Sequence, residues 1–270
     1  MMTAPHAATQ TAMPQAAMPA ATGPVLSVKG LTKSFGAIVV AQDINLDLAA
    51  GARVGLIGPN GAGKTTFVNL LTGFLTPDAG TIELAGEAIE GVVPEQRVRR
   101  GLARTHQINT LLTEDTVTEN VAIAVAEREK YAWRMLRYTP QWRRCVAEAR
   151  QRLADIGLAA VLDRRVSELP YGQQRLLEIA IALALNPRVL LLDEPAAGIP
   201  SSDTHIIHDV IERLPPQIAI IIIEHDMDVI FRFAREIVVL VQGRVLTRGA
   251  PAAIAEDPQV RAVYLGRTVV

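Results

Sequence analysis

One octapeptide constrains this chain more than any other feature: Gly58-Pro59-Asn60-Gly61-Ala62-Gly63-Lys64-Thr65, which matches G-x-x-x-x-G-K-[ST]. RVGLIG at 53–58, a continuous apolar run of strand length, leads into it. A helical pattern over 64–71, closed by Thr72-Gly73, follows it. Glycines let the backbone turn so that successive N–H groups point at phosphate oxygens, and the helix N-terminus adds the positive end of its dipole. Lys64 then reaches the β- and γ-phosphates as a point charge. The Thr65 hydroxyl holds Mg²⁺, with Thr66 beside it on the first helical turn. The bland alternative is a glycine turn before a helix, and the strand and helix flanks weigh against it. Only four of the 27 basic residues are lysines, so a lysine is a rare choice here, and one of the four stands in this motif.

A second motif is acidic. Val189-Leu190-Leu191-Leu192-Asp193-Glu194-Pro195 is an apolar strand ending in two carboxylates, and the C-terminal end of a parallel strand opens into the crevice where such sheets bind ligands. Asp193 is placed to hold Mg²⁺, and Glu194 to orient and deprotonate the water that attacks the γ-phosphate. Two acids capping a helix start would also suit the helix dipole, but the phosphate loop upstream favours the hydrolytic reading.

The rest of the chain supplies the scaffold. VLSVKGL (25–31) and INLDL (44–48) alternate apolar and polar residues, and GTIELAG (80–86) is a short strand with glycine at each end, so the first third predicts antiparallel hairpins around a buried strand. Between 116 and 162 the spacing turns helical and charged, with Pro140 separating two pieces and Gly157 ending the second. Helices over 173–185, 202–214 and 227–234 then alternate with strands over 189–192, 218–223 and 237–241, the rhythm of βα units on a parallel sheet. No internal repeat is visible. Residues 1–24, rich in Ala, Pro and Thr, read as a disordered tail without the charge or apolar stretch of a secretory signal.

Composition narrows the function. With 49% hydrophobic and 20% charged residues the chain is globular rather than disordered. A formal charge of −1 gives no global basic field for nucleic acid or anionic membrane. Cys145, the one cysteine, excludes an internal disulfide and any multi-cysteine metal site. No apolar run approaches the roughly 18–20 residues that span a bilayer, so a soluble, cytoplasmic protein is expected.

A third element makes the reading specific. Leu169-Pro170-Tyr171-Gly172-Gln173-Gln174 stands ahead of the acidic strand at the head of a helix, Gln107 follows the 102–105 segment, and His225 follows 218–223. Together with the two motifs above, in this order, the chain from Val25 onward resembles the ATP-binding-cassette (ABC) ATPases. Phe35, in Lys33-Ser34-Phe35-Gly36, matches the aromatic residue that stacks on adenine in that family. Finer phrases, among them Ala103-Arg104-Thr105-His106-Gln107, Tyr171-Gly172-Gln173-Gln174-Arg175, Glu224-His225-Asp226-Met227 and Val263-Tyr264-Leu265-Gly266, look like the ATP-binding subunits of branched-chain amino-acid importers. Relatives in that subfamily serve urea, short amides and aromatic acids.

The resemblance implies an α/β fold of the P-loop NTPase class over 25–270. It combines a mixed sheet core with an antiparallel β subdomain and an all-helical subdomain at about 108–165. It also implies ATP and Mg²⁺ as ligands. Two such domains would face each other over two ATP molecules. Each site would use the phosphate loop, Asp193, Glu194, Gln107 and His225 of one chain, and Pro170, Tyr171, Gly172 and Gln173 of the other. Gln107 would contact Mg²⁺ and report the γ-phosphate, and His225 would hold that phosphate and position Glu194. Implied partners are two membrane-spanning permease subunits, a second ABC ATPase subunit as a heterodimer or homodimer, and indirectly an extracytoplasmic solute-binding protein, with no nucleic acid. The implied place is the cytoplasmic face of the inner (plasma) membrane. Service to an exporter remains open, as does a soluble ABC protein acting on nucleic acid. The latter usually carries two cassettes or a long coiled coil, and this chain has one cassette and no sustained heptads.

Two residues depart from the family pattern. Pro170 stands where a serine hydroxyl normally meets the γ-phosphate of the opposite ATP, and Pro200 where the family has Asp or Asn at the dimer interface. Proline starting a helix is also well tolerated, so both an asymmetric dimer and a harmless substitution fit. The stretch 131–144 holds both tryptophans and four arginines with no acid, and suits core packing or a protein interface in the helical subdomain.

Overall fold

The alternation over 25–31 and 44–48 becomes a four-stranded antiparallel sheet in which β1 (Leu26–Phe35) lies between β2 (Ile38–Leu48) and β4 (Ala79–Leu84), with β5 (Glu87–Ala88) outside β4. The structure, a computed structural model, describes residues 23–105, 111–131, 139–199, 204–224 and 227–265. The tail up to residue 22, Gln107, Pro200, His225 and residues 132–138 of the tryptophan-rich stretch lie outside the described residues.

The second sheet has six strands in the order β10–β9–β3–β8–β7–β6, where β3 is Arg53–Ile57, β6 Leu102–Arg104, β7 Val189–Asp193, β8 Ala219–Ile223, β9 Glu236–Val241 and β10 Arg244–Gly249. The pairs from β9 to β6 are parallel, and β10 closes the edge antiparallel to β9. That edge strand was not foreseen, because RVLTRG carries only weak alternation. Both faces of the inner strands are buried, so they read as unbroken apolar runs. Leu190 and Leu192, with Ile220 and Ile222, enter one core; Val189, Leu191, Ala219, Ile221 and Ile223 enter the other.

The two cores divide the work. One joins the antiparallel sheet to the six-stranded sheet through α1 (Lys64–Thr72), whose Phe67, Val68, Leu70 and Leu71 are buried. The opposite core takes α3 (Val117–Arg128), α4 (Pro140–Asp155) and α5 (Tyr171–Ala184), with α6 (Thr204–Glu212) and α7 (Met227–Phe233). The helical section therefore shares a core with the sheet rather than enclosing one of its own. The remaining helices are α2 (Pro94–Arg99), α8 (Pro251–Glu256) and α9 (Pro258–Leu265).

Local signals set the helix starts. Thr116 and Glu119 form a reciprocal capping box on α3, and the Thr139 hydroxyl caps α4 ahead of Pro140 at its first position. Polar fasteners then hold α3, α4 and α5 together. Arg128 donates to both oxygens of Glu148 at 2.8 Å and to the Ala184 carbonyl at 2.9 Å, while Arg152 donates to Glu148 at 2.8 Å and to the Leu183 carbonyl at 3.0 Å.

Candidate functional site

The register brings the motifs to one edge. Leu56 of β3 and Asp193 of β7 both stand level with Ile223, the last residue of β8. The phosphate loop that follows β3, the acidic end of β7 and Glu224 after β8 therefore share the C-terminal edge of three adjacent parallel strands, the edge at which open α/β sheets bind ligands.

The loop is held by main chain. Gly63 has φ +101, and a Cβ there would lie 2.6 Å from the Val40 carbonyl of β2. A side chain would therefore be strained and would push the loop off the hairpin. Gly63 is also the N-cap of α1 and brings no side-chain cap, so the first N–H groups of the helix stay open to an anion. The turn between β9 and β10 steadies the loop from behind: Gly243 N–H donates to the Ala62 carbonyl at 2.8 Å, and its own carbonyl accepts from Gln42 N–H at 2.7 Å. Lys64 is buried, and its ammonium donates to the Gly58 carbonyl at 2.6 Å and the Pro59 carbonyl at 3.2 Å. Burial lowers its pKa, while Glu194 and Asp193 oppose that shift. The lysine thus lies within electrostatic reach of both acids.

The acids differ in their settings. Asp193 is buried and accepts from Arg104 Nη2 at 2.6 Å; the same guanidinium donates from Nη1 to Asn69 on α1 at 2.8 Å. Glu194 has φ +47, an uncommon conformation for a residue with a side chain. Its N–H is held by the Ile223 carbonyl at 2.8 Å, and its carbonyl accepts from Arg175 Nη2 of α5 at 3.3 Å. Glu224, also buried, accepts the Ala196 N–H at 3.0 Å and so anchors the turn after Glu194.

Phe35, at the end of β1, is half exposed, with the Lys33 ammonium 5.7 Å from its ring centroid. The hairpin it belongs to touches Gly63 and Gly243 through Val40, so the ring stands on the element that borders the loop and offers a face for stacking. The Pro170–Gln173 stretch opens α5: Pro170 is the N-cap, and its carbonyl accepts from Gln173 and Gln174 at 3.0 and 3.1 Å, with no hydroxyl to offer. The Gln173 Oε1 is buried without a hydrogen-bond partner among the described residues. Tyr171 lies against Gly198, where a Cβ would come within 3.0 Å of the ring. Gln107 and His225, expected beside the acids, lie outside the described residues.

Several residues of this edge carried no role in the sequence reading. Arg104 and Glu224 were visible only inside family-like phrases, and Arg175 and Gly243 act through contacts that no local pattern encodes. Tyr264 of α9 is another: burial pushes its hydroxyl up to about 12, with the Gly58 main chain beside it. A groove of 310 Å³ lies on the flank of this edge, lined by Phe74, Val98, Arg104, Leu111, Glu178 and Ile181 among others.

Comparison with known proteins gives the same picture. A model of the ABC transporter family matches residues 41–197, and one of the branched-chain amino acid ATP-binding cassette transporters matches residues 244–270. The high-affinity branched-chain amino acid transport ATP-binding protein LivG of Escherichia coli K12 is 41% identical over 250 residues, covering 90% of this chain and 98% of that protein. BraF of Pseudomonas aeruginosa, described by the same words, is 39% identical over the same span and shares. The lipopolysaccharide export system ATP-binding protein LptB of Acidithiobacillus ferridurans is 36% identical over 90% of this chain and 97% of its own length. Among solved structures, the ADP conformation of MJ1267, an ATP-binding cassette of an ABC transporter, superposes with a TM-score of 0.79 at 29% identity, covering 91% of this chain and all of that one.

Proposed function

The chain belongs to the ABC transporter family, an ATP-hydrolysing family, and we propose from that premise that it powers an importer for branched-chain amino acids or related small solutes. The convergence of Lys64, Asp193 and Glu194 on one strand edge carries the hydrolytic part. The match over 244–270 and the likeness to LivG and BraF carry the importer part. The likeness to LptB keeps export as the competing direction.

In this reading the loop 58–65, the open N-terminus of α1 and Lys64 bind the triphosphate, with Thr66 beside them. Phe35 stacks on the base. Glu194 takes the proton from the attacking water as the bond from the γ-phosphorus to its bridging oxygen breaks. Thr65, Asp193 and Gln107 would hold Mg²⁺, which supplies charge neutralisation at the β- and γ-phosphates. These are hard oxygen donors. Among the described residues no three His, Cys, Asp or Glu side chains gather into a cage, which suits an ion that keeps waters and phosphate oxygens as ligands. His225 would complete the γ-phosphate contacts, and Pro170, Tyr171, Gly172 and Gln173 would face the ATP of a second cassette.

That second cassette is proposed to be a different chain. Pro170 gives the opposite site neither hydroxyl nor N–H, while this chain's own hydrolytic residues are intact, so one of the two sites would turn over and the other would be weakened. The groove beside Phe74 and Arg104 combines apolar walls with buried charge, which favours a cytoplasmic segment of a membrane-spanning permease subunit as its occupant. The chain would then sit at the cytoplasmic face of the membrane, and no helix among the described residues is long and apolar enough to cross it.

The test is affinity purification of the full chain from its native membranes in mild detergent, with mass spectrometry of what accompanies it. Two membrane-spanning subunits and a second cassette are expected, and the binding protein that feeds them would name the solute. Ribosomes or nucleic acid in their place would overturn the transport reading.

A further inference from the structure

Arg104 ends β6 and reaches in two directions. Nη2 donates to Asp193 Oδ2 at 2.6 Å and Nη1 to Asn69 Oδ1 at 2.8 Å, so one side chain ties the acidic end of β7 to the helix that the phosphate loop opens. The pair is deeply buried, with side-chain exposures of 11% and 6%. The third nitrogen, Nε, is buried with no hydrogen-bond partner among the described residues, and the same side chain lines the groove beside Phe74.

Two cations cannot draw fully on one carboxylate. A guanidinium at hydrogen-bond distance from Asp193 neutralises it, and its charge repels a dication brought to the same group, more strongly in a buried setting than in water. The forked guanidinium also fixes where the carboxylate points, because its other arm is anchored on α1. We propose that Arg104 competes with Mg²⁺ for the Asp193 carboxylate and so sets how much Mg²⁺ the nucleotide site requires. This rests on the reading above that Asp193 serves the metal. A residue of purely structural value would alter folding stability and leave the metal requirement where it was.

The test titrates Mg²⁺ against ATP binding to the full chain, read by displacement of a fluorescent ATP analogue, and repeats the binding in EDTA. Arg104→Gln removes the charge, and Arg104→Met does so while keeping the apolar stem that the groove wall needs. Arg104→Lys keeps the charge without the fork. The Mg²⁺ midpoint is expected to fall about threefold or more in the Gln and Met variants and less in the Lys variant, while affinity in EDTA falls in the neutral variants because the Asp193 carboxylate then faces the triphosphate uncompensated. A midpoint that stays put or rises in the neutral variants overturns the proposal. Failure of the underlying reading looks different: wild-type ATP binding would not respond to Mg²⁺, or Asp193→Asn would leave its response intact, and either result removes this proposal with it.

Discussion

The Glu194 amide donates to the Ile223 carbonyl at 2.8 Å, although Glu194 has already left the strand with φ +47. The bond carries the parallel pairing of β7 and β8 one residue past Asp193. The carboxylate is therefore launched from a main chain that two strands hold, in a conformation a free chain would rarely visit. If Glu194 is the base proposed above, fixing it in this way would limit the reorganisation needed when a water approaches.

Glu194→Gln keeps the shape and removes the proposed base. Phosphate release by the assembled transporter should fall about 100-fold or more, while ATP affinity of the full chain stays near wild type. Parallel loss of binding would assign Glu194 to nucleotide affinity instead.

In the assembled pair, the same substitution at Glu194 should remove most of the ATPase activity, and the equivalent change in the partner cassette should remove little. Pro170→Ser should narrow the difference by returning a hydroxyl at the α5 N-terminus. Steady-state rates of the four assemblies decide, and equal losses would mean two equivalent sites.

Gly63→Ala tests the seat of the loop. The new methyl would meet the Val40 carbonyl in a backbone region unsuited to it, at a cost of about 1–3 kcal/mol. Both the thermal midpoint and ATP affinity should drop. Gly91→Ala, where nothing lies within 4 Å but φ is also positive, is the control that carries backbone strain without the clash.

Phe74→Asp replaces the exposed ring that lines the groove with a charge. Membrane subunits should no longer copurify, with ATP binding by the isolated chain unchanged. Retention of those subunits would move the docking surface elsewhere.

Glu148 gives the helical layer an acid limb. Hydrogen bonding from Arg128 pulls its pKa from 4.5 to about 2, against the opposing effect of burial. A carboxyl lowered on folding contributes stability that is fully present above 4.5 and lost as pH falls from there through 2. The group is a third exposed, so screening limits the contribution to about 1 kcal/mol. Thermal midpoints of Glu148→Gln should lie below wild type at pH 7, with the gap narrowing steadily as pH falls from 4.5 towards 2.

What could be read from the sequence was whatever is written locally. The start of α1 at Lys64, the end of β7 at Asp193 and the apolar strand of β8 follow from periodicity, glycine placement and short motifs, and the structure has them within one or two residues. The edge strand β10 and the roles of Arg104, Arg175 and Tyr264 were hidden. β10 pairs with its neighbour β9 across a two-residue turn, but RVLTRG alternates too weakly to announce a strand. The three side chains each depend on a partner far away in the chain, such as Asp193 for Arg104 or the Gly58 main chain for Tyr264, and no short window of residues contains both members. β1 also runs to Phe35, past the alternation that announced it, because pairing with β2 continues through bulges at Leu31 and Lys33.

The bonds through Gly243 are main chain to main chain on both sides. Substituting the side chains of Gln42 or Ala62 leaves them in place, so of the three residues only Gly243, where a Cβ would lie 2.6 Å from the Val40 carbonyl, would report the strut in a scan of point mutants. A change in chain length would not. One residue added to the turn at 242–243 shifts the backbone that props Ala62, and the damage would surface as lost phosphate grip in a loop far upstream in sequence. The same residue added at the turn around Gly91 would disturb the Glu90 and Val92 contacts there but no bond to the phosphate loop. Tolerance to insertion along this chain would therefore trace its internal scaffolding, including main-chain bonds that substitution at Gln42 or Ala62 leaves intact.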